Sequence, residues 1–252
     1  MQKYFVAPEQ FQENIIEITG QDAHHLKNVM RAKPGASFLV SDGESREALV
    51  ELLAFEEQKV IAQIVELRSY DREPAYEVTI AQSLPKGDKM ELIIQKCTEI
   101  GATGFIPFDS ERTVVQYDAK KEAKRIERWS KIAKEAAEQS HRNRIPVIEP
   151  CISWKQLLQR ADQYDLVLFC YEDERGTMLR DVVAPFVAAH QSSAQVLVVV
   201  GPEGGFAPHE VEQMTAAGAV CVGLGRRILR AETAGMLALS CILYESGEMG
   251  GV

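Results

Sequence analysis

At 252 residues, 46% hydrophobic and 26% charged, the chain is long enough to bury one large core or two modest ones, and no apolar run approaches the ~18 residues that would span a membrane. The opening MQKYFVAPEQ lacks the basic, apolar and small-residue zones of a signal peptide, and the five cysteines are scattered without CxxC spacing, so a reducing, cytoplasmic setting is expected. A net charge of −9 argues against nucleic acid when taken alone, yet residues 111–145 carry ten Lys/Arg against six Asp/Glu and residues 24–33 carry Lys27, Arg31 and Lys33 without an acid, stripes that also suit solvated helix faces.

From the amino terminus to about Arg72, apolar runs (FLVSDG, ALVELLAF, KVIAQIVEL) alternate with turn signals such as Pro34-Gly35 and Asp42-Gly43, which predicts a small β-rich domain. One helix interrupts it, with Asp22 as N-cap and Leu26, Val29 and Met30 as an apolar stripe. His24, Lys27 and Arg31 line its other side. The pattern changes near Ser69–Pro74, the expected boundary between domains of residues 1–72 and 73–252. Beyond it, strand-like segments (EVTIAQSL, GFIPF, IPVIE, DLVLFCYE, QVLVVVG, AVCVGLG) alternate with helices beginning near Lys86, Lys120, Trp154, Met178, Pro208 and Glu232. This alternation predicts an α/β domain, a parallel sheet with helices on both faces, and the continuous LVLFC and VLVVV runs suit strands buried on both sides.

Ligands in open α/β sheets bind where strands end, so the segments leaving the last strands are the candidate site. Val200 leads into Gly201-Pro202-Glu203-Gly204-Gly205, where glycines allow positive φ and close backbone approach; the same residues also suit a tight connection with no ligand. Leu224, Gly225, Ile228, Leu229 and Arg230 follow the last strand together with Arg226 and Arg227, a mixture that could sandwich a planar base and hold an anion. Tyr171-Glu172 ends DLVLFCYE, suiting either a cationic or ribose-bearing ligand or an ordinary polar strand end. There is no GxGxxG after the first strand, no Gly-Lys-Ser/Thr loop and no lysine in GPEGG, so a nucleoside-type ligand fits better than a polyphosphate. The five histidines show no zinc spacing, and no metal is expected.

With these motifs in order, VGPEGGF and LGRRILRAETA supported by KGDKMELIIQKCTEIG, SERT, EAAEQSHRNRIPVI and HHLKNVMR, the sequence closely resembles the bacterial 16S ribosomal RNA (uracil-N3)-methyltransferases of the SPOUT superfamily over nearly its whole length. The resemblance implies a PUA-like β-barrel that helps bind RNA, a SPOUT domain with a C-terminal trefoil knot, S-adenosyl-L-methionine held in the knot, and a homodimer acting on 16S ribosomal RNA or the small subunit. Arg230 is then the first candidate to stabilise charge on the uracil carbonyls. Arg112 and Arg142 are candidates for holding the base or its phosphates, and Glu138 and Gln139 for reading its Watson–Crick edge. Glu138 and Arg142, spaced i, i+4, also suit a helix-end ion pair. Lys3 stands before Tyr4-Phe5 where the family often has arginine, which would keep the charge of an RNA contact without bidentate geometry. RNA is expected along His24, Lys27 and Arg31 and along Lys120 to Lys134. A non-catalytic RNA-binding or ribosome-assembly factor and a nucleotide-dependent small-molecule enzyme are the competing functions.

Overall fold

The computed structural model describes residues 1–44, 46–68, 72–190 and 192–251. Two compact units divide the chain, Met1–Glu73 with Ala137–Ile145, and Pro74–Ala136 with Pro146–Val252. The turn expected to hold the boundary lies in part, at residues 69–71, outside the described residues. Residues 137–145 count with the first unit, although periodicity alone puts them in the second. Their polar groups explain it: Asn143 Oδ1 accepts Arg72 N–H at 3.0 Å, Glu138 accepts Phe5 N–H at 3.1 Å, and Arg142 pairs with Glu73.

In the first unit, β1 (Lys3–Phe5), β2 (Ile15–Thr19), β3 (Ser37–Ser41), β4 (Glu47–Phe55) and β5 (Lys59–Arg68) form one sheet in the order β1-β3-β4-β5-β2. Among the described residues, β1 and β3 pair in parallel and the other neighbours are antiparallel. Alternation puts Ile16, Ile18, Val40, Val50 and Leu52 inside with Tyr4 and Phe38, and register shifts at Leu49/Val50 and Leu52/Ala54 curl the sheet around them. The interrupting helix differs from its prediction. α1 (Gly20–His24) has Thr19 at its N-cap position with no side-chain capping bond, carries Asp22 inside its first turn, and runs into a π-helical turn at His25–Val29. The longer reach of that turn, Met30 N–H to His25 O at 2.9 Å, rotates the stripe off the core. Leu26 is buried, but Val29 is 61% and Met30 43% exposed.

In the second unit, β6 (Tyr76–Ser83), β7 (Gly104–Asp109), β8 (Val147–Ile148), β9 (Ile152–Ser153), β10 (Leu166–Cys170), β11 (Ala194–Val200) and β12 (Val220–Val222) make a sheet ordered β12-β10-β11-β6-β7-β8, with β9 also beside β7. Every pairing is parallel. The helices are α2 (Lys89–Ile100), α3 (Ala119–Gln139), α4 (Trp154–Leu158), α5 (Leu179–Ala189), α6 (Pro208–Ala216) and α7 (Ala231–Glu245). One sheet face, from Val167, Phe169, Leu197 and Val199, packs on Leu157, Phe206 and Met214. α7 covers β6 and β11 with α2 and α5 beside it. No helix among the described residues is long and apolar enough to cross a membrane.

Candidate functional site

Register brings the predicted loops together. Cys170 pairs with both Val200 and Val222, and Val200 with Gln82, so four adjacent strands end in one row. The segments starting at Tyr171, Gly201 and Gly223 therefore leave the sheet at one level, and the segment after β6 leaves one residue later, at Leu84. Between them lies a cleft of about 380 Å³, lined by Tyr171, Glu172, Val200, Gly201, Pro202, Glu203, Gly205, Leu224, Gly225, Ile228, Leu229 and Arg230. Gly204 is the one predicted lining residue that faces elsewhere. Its carbonyl accepts the Arg112 guanidinium at 2.8 Å, which ties the segment after β7 to the turn.

The turn is held from several sides. Gln82, fully buried, donates its amide to Gly201 O at 3.1 Å and Ser83 O at 3.0 Å. A Cβ on Gly201 would lie 3.0 Å from the Phe206 ring, whose centroid is 4.3 Å from that of Phe169, so close packing requires glycine there. Gly205 has φ +65°, and a Cβ would overlap Glu172 Oε1. Ser83, Ser110 and Thr113 join their hydroxyls at 2.8–3.0 Å, fixing the SERT turn against the end of β6.

Electrostatics separates the cations at the cleft into two kinds. Lys89, which sequence reasoning missed, donates to Glu203 at 2.8 Å and lies 3.6 Å from Glu232, so one ammonium links the turn to the start of α7. Burial pushes the Glu203 carboxyl up, but hydrogen bonds from Lys89 and the backbone outweigh it and hold the group below its ordinary range. Arg175, also missed, lines the cleft, and the side chains of Arg175, Arg226, Arg227 and Arg230 are exposed with no ion pair among the described residues. Lys89 and Arg175 lie on other segments, 112 and 26 residues before Gly201 by chain number, and no local motif marks them. Burial raises the Cys170 thiol to about 12, which removes the cleft's cysteine as a thiolate nucleophile at neutral pH.

This arrangement has known relatives. Residues 71–243 match the family model described as an RNA methyltransferase domain, and residues 18–65 match the RNA methyltransferase PUA domain. The chain belongs to this RNA methyltransferase family. It is 43% identical to ribosomal RNA small subunit methyltransferase E of Bacillus subtilis, over 98% of this chain and 97% of that protein, and 36% identical to the Synechocystis protein of the same name, over 94% and 75%. A crystal structure of the Neisseria gonorrhoeae enzyme of that name bound to S-adenosyl methionine superposes with a TM-score of 0.84 at 30% identity, covering 97% of each chain. The putative Legionella pneumophila methyltransferase, also with bound cofactor, gives 0.85 at 27% identity and 96% coverage of each.

In the family's PUA-matched unit, the predicted RNA residues part company. His24, Lys27 and Arg31 are exposed, and His24 and Lys27 border a groove with Asn28 and Phe55. Arg31 holds φ +49°, an uncommon conformation for a non-glycine residue. Lys3 is a correction: its side chain is 0% exposed and pairs with Glu47 at 2.5 Å. Burial lowers its pKa although Glu47 opposes this. Arg142 is a second correction, 4% exposed and paired with Glu73, whose Oε1 also accepts Asn143 and Arg144 N–H. Glu138 is half-buried on Phe5 N–H and Gln139 is exposed. The α3 stripe is partly neutralised within the second unit: Arg125 and Arg128 reach Glu91 at 3.3 and 2.6 Å and Lys131 lies 3.9 Å from Glu135, while Lys120, Lys121 and Lys124 are exposed outside these pairs.

Proposed function

We propose that this chain transfers a methyl group from S-adenosyl-L-methionine to N3 of a specific uridine in 16S ribosomal RNA. The observation that carries the reading is the row of four strand ends enclosing one cleft of about 380 Å³, a size suited to a nucleoside-type ligand. Its walls fit such a ligand on their own chemistry. Gly205 keeps a side chain out of the space beside Glu172 that a Cβ would fill, and Leu224 and Leu229 offer apolar faces to a planar base. Glu172, without an ion-pair partner among the described residues, is free to accept ribose hydroxyls or face a sulfonium. When bound, the cofactor supplies an electrophilic methyl group.

The acceptor side must orient uracil and favour loss of the N3 proton, because positioning and charge stabilisation supply most of the acceleration in such a transfer. Arg230, exposed at the cleft and unpaired, stabilises the negative charge that deprotonation spreads onto the carbonyl oxygens. Arg112 spends one N–H on Gly204 and keeps the others for the base or a phosphate. His24, Lys27 and Arg31 add a separate RNA surface on the PUA-matched unit.

Two finer structural features belong to the same reading. A C-terminal trefoil knot is supported by α7, which follows the edge strand β12 yet packs back on β6, β11 and α2. A homodimer is supported by the apolar groove of Met178, Leu179, Val183, Leu237 and Tyr244, with Tyr244 66% exposed.

Calorimetry with S-adenosylhomocysteine, ATP and NAD tests the cofactor; binding of the first alone is expected, and preference for either nucleotide would overturn it. Gly205→Ala should weaken S-adenosylhomocysteine binding about tenfold or more, since the added Cβ would overlap Glu172 Oε1 and displace that carboxylate from the cleft wall. Unchanged affinity would place the ligand elsewhere.

A further inference from the structure

We propose that Arg175, Arg226 and Arg227, with Ile228 beside them, form a clamp on the cleft rim for the sugar–phosphate backbone of an unpaired RNA segment. This rests on the reading above and adds how the strand is held while its uridine is delivered.

Several cations elsewhere in this unit are already engaged. Lys89 is held by Glu203 and Glu232, Arg112 by Gly204 O, and Arg125 and Arg128 by Glu91. Arg175, Arg226 and Arg227 differ: their side chains are exposed and unpaired among the described residues, on a chain whose net charge is −9. Gathering uncompensated guanidinium groups on one rim costs mutual repulsion that an anionic ligand removes. Their two loops leave β10 and β12, neighbours whose ends are in register at Cys170 and Val222, so the rim is built from both sides of one strand pair. Guanidinium forks match phosphate oxygens, and no carboxylate among the described residues forms an ion pair with them.

Ile228 supplies the second, independent observation. It is 79% exposed, more than any other large hydrophobic described, and it sits on the loop that carries Arg226 and Arg227 at the mouth of the cleft. Solvent gives such a side chain nothing. Against RNA it acts as an apolar wedge on the base next to one that has left the stack. A uridine must leave its stack for its N3 to reach a methyl donor held in this recess, so the clamp favours single strands over duplex.

The test uses the full chain, a fluorescent single-stranded oligouridine, and the same strand paired with oligoadenosine. Wild type should prefer the single strand. Arg175→Glu/Arg226→Glu should lose about tenfold or more in affinity, and its slope of log affinity against log salt should fall by ~1.4, from ~0.7 per phosphate contact. Ile228→Ser should lower methyl transfer to 16S ribosomal RNA severalfold at an unchanged salt slope. A thermal melting midpoint matching that of the wild type reports that the charge-reversed protein is folded. If charge reversal prevents folding, Arg175→Gln/Arg226→Gln reads the same slope. An unchanged slope or equal affinity for duplex would each overturn the clamp. A wild type that shows the slope but transfers no methyl group would sink the methyltransferase reading and leave the clamp standing.

Discussion

Arg230→Ala is expected to slow methyl transfer by about a hundredfold or more while leaving cofactor affinity within about threefold. Removing one donor aimed at a developing oxyanion typically costs ~3 kcal/mol in the transition state. The substitution is clean because of where Arg230 sits. It is the N-cap of α7 with φ −69° and ψ 153°, and its backbone carbonyl, not its side chain, accepts Thr233 and Ala234 N–H. The helix start therefore survives the change while the exposed guanidinium is lost. Arg230→Lys, which keeps the charge and loses the fork, should recover part of the rate. Rapid-quench transfer to RNA, compared with calorimetric cofactor binding, separates the two effects. Near-normal turnover by the alanine variant would remove Arg230 from the chemistry.

Glu47→Ala should be the most destabilising single change in the first unit, by about 3–5 kcal/mol at neutral pH. The reason is the partner left behind. Lys3 Nζ is fully buried against Glu47, which also takes Arg72 at 3.3 Å. Without the acid, burial already lowering the Lys3 pKa acts unopposed by its strongest counter-charge. The sign of the pH dependence follows. With the folded pKa below the ordinary 10.5 of the unfolded chain, the unfolded state holds more protons between those values. Stability of the variant should therefore rise with pH through that window. Denaturant melts at several pH values check this, and Lys3→Met/Glu47→Leu should restore stability by replacing the pair with apolar volume. A small loss at every pH would mean that water reaches Lys3.

The second unit was readable because its signals are local. LVLFC and VLVVV became central strands, and the motifs following them became the cleft walls, since a parallel sheet brings consecutive strand ends to one edge. What failed depended on partners far along the chain. Lys3 beside an aromatic pair looks like a surface contact until Glu47, 44 residues on, is seen to bury it. Arg142 was likewise claimed by Glu73, and Arg125 and Arg128 of α3 by Glu91. Val29 and Met30 fit an α-helical stripe, but the π turn changed the pitch beneath them. Periodicity cannot report a change of helix type that tertiary packing selects. The same distance hid Lys89 and Arg175, which enter the cleft through topology.

The most direct measurement is nucleoside mass spectrometry of 16S ribosomal RNA incubated with the purified protein and isotopically labelled S-adenosyl-L-methionine, as free RNA and within the small subunit. Label in 3-methyluridine at a single position, lost with Arg230→Ala, is the expected result. Label in another methylated nucleoside, or no transfer to either substrate despite cofactor binding, would contradict it.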